Sequence, residues 1–201
     1  MQSIAEIPFI AGHVALDFVN TAEERGHPDA GDVLRTPADL RMWGQRYGLL
    51  SRSASSDDEG AELRRAINVR ELLYALLLAR VLDHRPTRTD LDRLAALVPP
   101  AYNDARLETD TDGHLTWSWN SSQLATVRHV ALTAAVDLLA RTPPARLKQC
   151  PGEHCGWFFL DTTKRGNRRW CSMSECGQDA KTARRRALSK PQRPSPRRPA
   201  A

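Results

Sequence analysis

The chain is expected to be mainly α-helical with some β structure (α+β), a helical N-terminal domain holding one β-hairpin followed by a small module that carries the cysteines. Three observations predict this. Apolar residues recur at intervals of three and four through much of the first 140 residues, the period of an amphipathic helix. Residues 106–119 alternate instead, divided by the turn sequence Asp110 to Gly113. All four cysteines lie between positions 150 and 176. A chain of 201 residues holds one medium domain and a small module.

The first element is a helix from Gly12 to Thr21 (GHVALDFVNT). His13, Asp17, Asn20 and Thr21 form a polar stripe along it between Val14, Leu16, Phe18 and Val19. The stripe is a candidate ligand pocket. It is equally what an internally satisfied network requires, and that reading is preferred because buried polar groups must be paired whether or not a ligand exists. Residues 23–35 are rich in Gly, Pro and Asp and read as a loop. Thr36 as N-cap, Pro37 at the first helical position and Asp39 at the third then start a helix that runs to about Tyr47 and stops at Gly48. After a Ser/Asp-rich loop, Glu59 to about Asp83 is the longest helix, apolar all round from Leu72 to Ala79, so its second half belongs at the centre of the core. That apolar run is also the longest in the chain and falls far short of the eighteen or so residues a membrane span needs.

A helix from Thr89 to Val98 is expected to end at Pro99-Pro100, and the hairpin of residues 106–119 follows. Ser121 or Ser122 caps a last long helix reaching Ala140, with Leu124, Val127, Ala131, Ala134 and Leu138 on one stripe. Arg141-Thr142-Pro143-Pro144 closes the domain. The resulting division is residues 1–143, a module over 144–189, and a tail over 190–201 with four prolines and no acid, expected to be disordered.

The cysteines are spaced C-x4-C (Cys150, Cys155), fifteen residues, C-x4-C (Cys171, Cys176). Two close pairs separated by a span long enough to fold back bring four thiolates to one tetrahedral ion, so the spacing predicts one structural Zn2+. Pro151 and Gly152 turn the chain between the first two cysteines, with strand-like sequence at Leu147 and from Trp157 to Leu160. Cys171 and Cys176 open a segment with Met173, Cys176, Ala180, Ala183 and Ala187 on one helical face. Knuckle, hairpin and ligand-bearing helix start make a treble-clef-like four-cysteine module. Disulfides would need secretion, but the first eighteen residues have neither a basic start nor an uninterrupted apolar stretch of signal-peptide type. A cytoplasmic location and a metal are therefore expected. Neither pair is the C-x-x-C of a redox site, and His154, beside Cys155, reads as a surface residue. Four thiolates leave no coordination position for water, so no enzymatic activity is expected.

Charge is split between the halves. From Arg141 onward there are fifteen Lys and Arg against four Asp and Glu, a net of +11, which leaves −6 on the first 140 residues of a chain whose total is +5. Lys164, Arg165, Arg168 and Arg169 form a basic loop, and Lys181, Arg184 and Arg185 share an arc of the following helix. A basic module on a zinc scaffold points to DNA, held mainly through phosphates. The alternative is an adaptor whose zinc module docks an acidic protein partner.

The segment from Cys150 to Arg186 resembles the bacterial CGNR zinc-finger proteins that carry an N-terminal ABATE domain. The resemblance rests on the cysteine spacing, Trp157-Phe158-Phe159, Asp161-Thr162, the run Arg168-Arg169-Trp170-Cys171-Ser172-Met173, and Cys176-Gly177 followed by Lys181 and arginines. The string Leu16 to Thr21 (LDFVNT) carries the N-terminal part of it. The eponymous Cys-Gly-Asn-Arg reads Cys176-Gly177-Gln178-Asp179 here, which reverses a charge beside the metal site. The resemblance implies a regulatory role, and together with the basic zinc module the chain is expected to be a DNA-binding transcriptional regulator whose N-terminal domain senses a ligand or mediates assembly.

Overall fold

The structure, a computed structural model, describes residues 3–23, 25 and 31–189; the basic tail and the middle of the 23–35 loop lie outside the described residues. The elements are α1 (Val14–Val19), α2 (Pro37–Arg46), α3 (Glu59–Val81), α4 (Arg88–Asn103), β1 (Ala105–Thr109), β2 (Leu115–Trp119), α5 (Thr126–Arg141), a 3-10 turn (Pro144–Arg146), β3 (Leu147–Gln149), β4 (Phe158–Leu160) and α6 (Cys176–Ser189). The fold is mainly α with two small antiparallel hairpins, β1-β2 and β3-β4, as the patterning predicts.

Local chemistry accounts for most boundaries. α2 begins at a capping box: the Thr36 hydroxyl accepts the Asp39 amide while the Asp39 carboxylate accepts the Thr36 amide, with Pro37 at the first position. α3 is capped by Asp58, and Leu72, Leu73, Leu76 and Leu77 are all buried on it. Three boundaries differ from expectation. α1 spans Val14–Val19 and not Gly12 to Thr21, because Gly12 takes a φ of 79°, His13 is the N-cap and Asn20 the C-cap. α4 does not stop at Pro99-Pro100 but continues to Asn103. The two prolines forgo backbone donors, yet the extra turn seats Ala101 in the core and presents its carbonyl to Trp119 Nε1 at 2.8 Å. α5 begins at Thr126 with no side-chain cap, because Asn120 Oδ1 takes the Ser122 amide and hydroxyl and holds that segment as a turn.

α1 packs against α3 and α5, and α2 and α4 also pack on α3. The core is continuous across residue 143: Leu147, Cys150, Trp157, Phe158, Phe159 and Cys171 join the buried side chains of the helices in one cluster. Tyr74 of α3 meets Phe158 with ring centroids 5.5 Å apart. A two-stranded ribbon such as β3-β4 is marginal alone, and here the outer edge of β4 is paired. Asn20 Nδ2 donates to the Phe158 carbonyl at 2.9 Å, Asn20 Oδ1 accepts the Phe158 amide at 2.9 Å, and the Ala11 carbonyl accepts the Leu160 amide at 2.8 Å. The side chain of Asn20, the C-cap of α1, thus acts as a third strand. Among the described residues no helix is long and apolar enough to cross a membrane.

Candidate metal centre and basic surface

The β3-β4 hairpin sets the first pair of thiols. Cys150 ends the ladder, its amide donating to the Trp157 carbonyl at 2.7 Å, and the Cys155 amide closes the knuckle on the Gly152 carbonyl at 3.2 Å. Gly152 is small because it must be: a Cβ there would sit 3.1 Å from Cys155 Cβ and 3.2 Å from Cys176 Sγ. Cys171 comes from the turn before α6 and Cys176 from its first residue. All four sulfurs lie within 4.8 Å of one another, with Cys155 to Cys171 at 3.4 Å and Cys171 to Cys176 at 3.6 Å. Thiolates bound tetrahedrally to Zn2+ at about 2.3 Å stand about 3.8 Å apart, so the cage has the size of a zinc tetrathiolate. Cys150 and Cys171 are buried. This is a structural zinc site holding one ion.

Four thiols this close share protons through sulfur–sulfur contacts. Hydrogen bonds from Cys155 and Cys171 hold the Cys150 thiol far below its ordinary range, while Cys150 pushes both of those partners up. Only a cation among them lets all four ionise together, which is why such ligands release protons on metal binding. Cys176 is the first residue of α6; burial pushes its thiol up, so the metal and the positive end of the helix dipole must favour its ionised form. Asp179, at the family's arginine position, lies in the first turn of the same helix and complements the same dipole.

A buried carboxylate that sequence reading did not single out for a role organises the loop after β4. Asp161 accepts from Lys148 Nζ at 2.6 Å, the Thr163 hydroxyl at 2.6 Å, and the amides of Thr163 and Arg168 at 3.0 and 2.8 Å. Burial pushes its carboxyl up, but the Lys148 ammonium and these donors outweigh that and hold it well below the usual carboxylate range. Lys148 also donates to the carbonyls of Gly166 and Arg168. The Asp-x-Thr spacing of 161–163, an Asx-type turn, is the legible trace of this centre.

Of the four basic residues predicted in this loop, Arg168 departs from expectation. Its guanidinium donates to the carbonyls of Ile10 at 3.0 Å, Trp170 at 3.1 Å and Cys171, and lies 4.5 Å from the Phe159 ring centroid. It ties the metal turn to the N-terminal segment. Lys164, Arg165 and Arg169 are exposed, Arg169 stacking on Trp170 at 4.9 Å. Lys181, Arg184 and Arg185 are exposed on α6. The apolar face expected of that helix is used only at its start. Gly177 is buried so tightly against Met173 and Trp170 that a Cβ would meet Met173 Sδ at 2.9 Å, whereas Ala183, Ala187 and Leu188 are exposed. Beyond its first turn most side chains of α6 are exposed, while Asp179, Ala180, Ala183 and Arg186 line a cleft against the knuckle of residues 151–155.

The polar stripe of α1 is placed inside the protein. His13 Nδ1 caps the helix by accepting the Ala15 amide, and Thr21 donates to the Phe18 carbonyl while accepting from Arg70 at 3.1 Å. Asn20 pairs with Phe158 as described. Asp17 accepts the Ala11 amide at 3.0 Å and the Tyr47 hydroxyl at 3.2 Å. These four residues line none of the three principal clefts.

Burial raises the Asp17 carboxyl to about 6, against the pull of the donors on Ala11, Tyr47 and Ile10 and of Arg168. A raised folded value means that the native state holds this proton more tightly than the unfolded chain, whose carboxyl titrates near 3.9. The associated stability is present below about pH 4 and lost as pH rises through about 6. Asp17→Asn keeps an acceptor for Ala11 and is expected to stabilise the protein by about 2 kcal/mol at pH 7.5, with the gain shrinking toward pH 4.5. Urea unfolding of both proteins at the two pH values measures this; a gain that does not shrink on acidification would refute the assignment.

Residues 12–142 match the ABATE family, described as "Putative stress-induced transcription regulator", and residues 146–188 match the CGNR zinc finger. No curated protein sequence matches the chain.

Proposed function

Because the chain belongs to the ABATE family and ends in a CGNR zinc finger, we propose that it is a transcription regulator that binds DNA through the zinc module, with the N-terminal domain sensing a small molecule. The observation that carries the DNA part is the exposed cationic set Lys164, Arg165, Arg169, Lys181, Arg184 and Arg185, set on a metal-stiffened scaffold in the half of the chain with a net charge of +11. Arg169, braced on Trp170, and the exposed cations of α6 suit phosphate contacts. The acidic N-terminal half, at −6, repels phosphate and is not expected to bind DNA. In this reading the zinc is structural, not catalytic: four thiolates leave no position for water. The protein works in the cytoplasm, where its thiols stay reduced.

The test is a salt titration of full-length zinc-loaded protein on duplex DNA. Each phosphate contacted lowers the slope of log affinity against log salt by about 0.9, and three to six contacts, roughly, are expected. Replacing Arg184 and Arg185 together by alanine should weaken binding to every sequence and flatten the slope by about two. Both residues are exposed and alanine is the best helix former, so the fold is retained. Unchanged affinity and slope in the double variant would remove α6 from the interface. Binding to an acidic protein with none to DNA would replace this reading by the adaptor.

A further inference from the structure

α3, α4 and α5 meet along a cleft of about 330 Å3 with an unusual lining. Arg65, Asn68 and Val69 of α3 and Arg93, Ala96 and Leu97 of α4 face it with the same spacing (i, i+3, i+4), and Arg128 of α5 completes the wall. Arginines from three helices therefore line one cleft, with no carboxylate in the lining. Val69 is buried and Leu97 half-buried, giving an apolar floor beside the cations.

Glu62, only 2 % exposed and outside the lining, anchors two of these cations. Arg65 Nε donates to its carboxylate at 3.2 Å and Arg128 Nε donates to its other oxygen. Both bonds use the corner of the guanidinium nearest the stem, so the planar ends are held in fixed directions. The third cation, Arg93, lies 3.7 Å from Asp90 outside the lining. Guanidinium forks match a planar carboxylate through paired hydrogen bonds, and the volume is at the small end of ligand sites.

We propose that this cleft binds a small aromatic or branched-aliphatic carboxylate, its anionic head on Arg65, Arg93 and Arg128 and its apolar body on Val69, Ala96 and Leu97. The site and ligand class deepen the sensing part of the proposed function and rest on it for their purpose. Binding itself is measured without DNA, so its failure leaves the DNA reading standing.

The experiment titrates the full-length zinc-loaded chain with sodium benzoate, cyclohexanecarboxylate, benzyl alcohol and sodium phosphate, following backbone amide shifts by NMR. Benzoate and cyclohexanecarboxylate are expected to bind with Kd on the order of 1 mM, as suits ligands of this size, and to shift the amides of Val69 and Leu97. Benzyl alcohol, which lacks the charge, and phosphate, which lacks the apolar body, should each bind at least tenfold more weakly. Arg93→Gln, at a half-exposed side chain whose loss leaves the fold intact, should weaken benzoate about tenfold. Equal binding of phosphate and benzoate would show a site that reads charge alone, and equal binding of benzyl alcohol one that reads apolar surface alone. Either result overturns the proposal, as do unchanged affinity in Arg93→Gln and the absence of saturable shifts at Val69 and Leu97.

Discussion

Cys171→Ser is expected to abolish zinc binding and to unfold the C-terminal module, and the damage is expected to spread into the helices. Structural zinc in small modules supplies on the order of 10 kcal/mol of folding free energy, and this module has two strands of three residues each as its only sheet. What folds around the metal also covers the helical core. Phe158 and Phe159 are fully buried in the cluster that contains Phe18, Trp43 and Leu77. Exposing them removes a wall from α1 and α3, a change comparable to truncating large core side chains, which costs about 3–5 kcal/mol each. A fall of about 10 °C or more in the melting temperature of the remaining helical signal follows for a chain of this size. Elemental analysis should find one zinc per chain in the wild type and none in the variant. A wild-type chain free of zinc in reducing buffer would sink the metal assignment, and a metal-free variant whose helices melt at the wild-type temperature would show the two parts to be independent.

Asn20→Ala is expected to destabilise the zinc-loaded protein by about 3–5 kcal/mol, an effect out of proportion to one small polar side chain. The amide makes two 2.9 Å hydrogen bonds to both backbone groups of Phe158 in a buried setting. Alanine leaves that N–H and that C=O dry and unpaired, at about 1–3 kcal/mol apiece, and opens a small void. Asn20→Asp should be at least as damaging, since it restores an acceptor for the amide but sets a second oxygen against the Phe158 carbonyl. Denaturant unfolding at constant zinc saturation measures both. A loss under 1 kcal/mol for Asn20→Ala would mean that water takes over both bonds.

The metal site was legible because its information is local and chemical. Thiolate ligands at fixed short spacings admit few other uses in a reducing compartment, and the geometry around Cys150, Cys155, Cys171 and Cys176 has the expected size. The helices with strong caps were legible for a similar reason: Thr36, Pro37 and Asp39 specify a start within three residues. Pro99-Pro100 misled because the penalty of a proline is local while its compensation, Ala101 in the core and Trp119 on its carbonyl, comes from elements not yet formed when the signal is read along the chain. The tailing apolar face of α6 misled in the opposite sense, since periodicity records which side chains are apolar and says nothing of whether anything packs on them.

The basic and polar residues divide along the same line. Composition alone assigned a cationic C-terminal half and an acidic N-terminal one, and helical spacing alone put His13, Asp17, Asn20 and Thr21 on one stripe. Which of these groups are spent internally was settled by distance between segments far apart in sequence. Arg168 is taken up by the Ile10 carbonyl and Asn20 by Phe158, while Arg65, Arg93 and Arg128 are gathered from three helices around one cleft. A charge or an amide has the same composition whether it faces water, a ligand or a backbone carbonyl. Its partner is chosen only when the chain closes, because hydrogen bonds act over about 3 Å and the chain supplies that proximity through its fold.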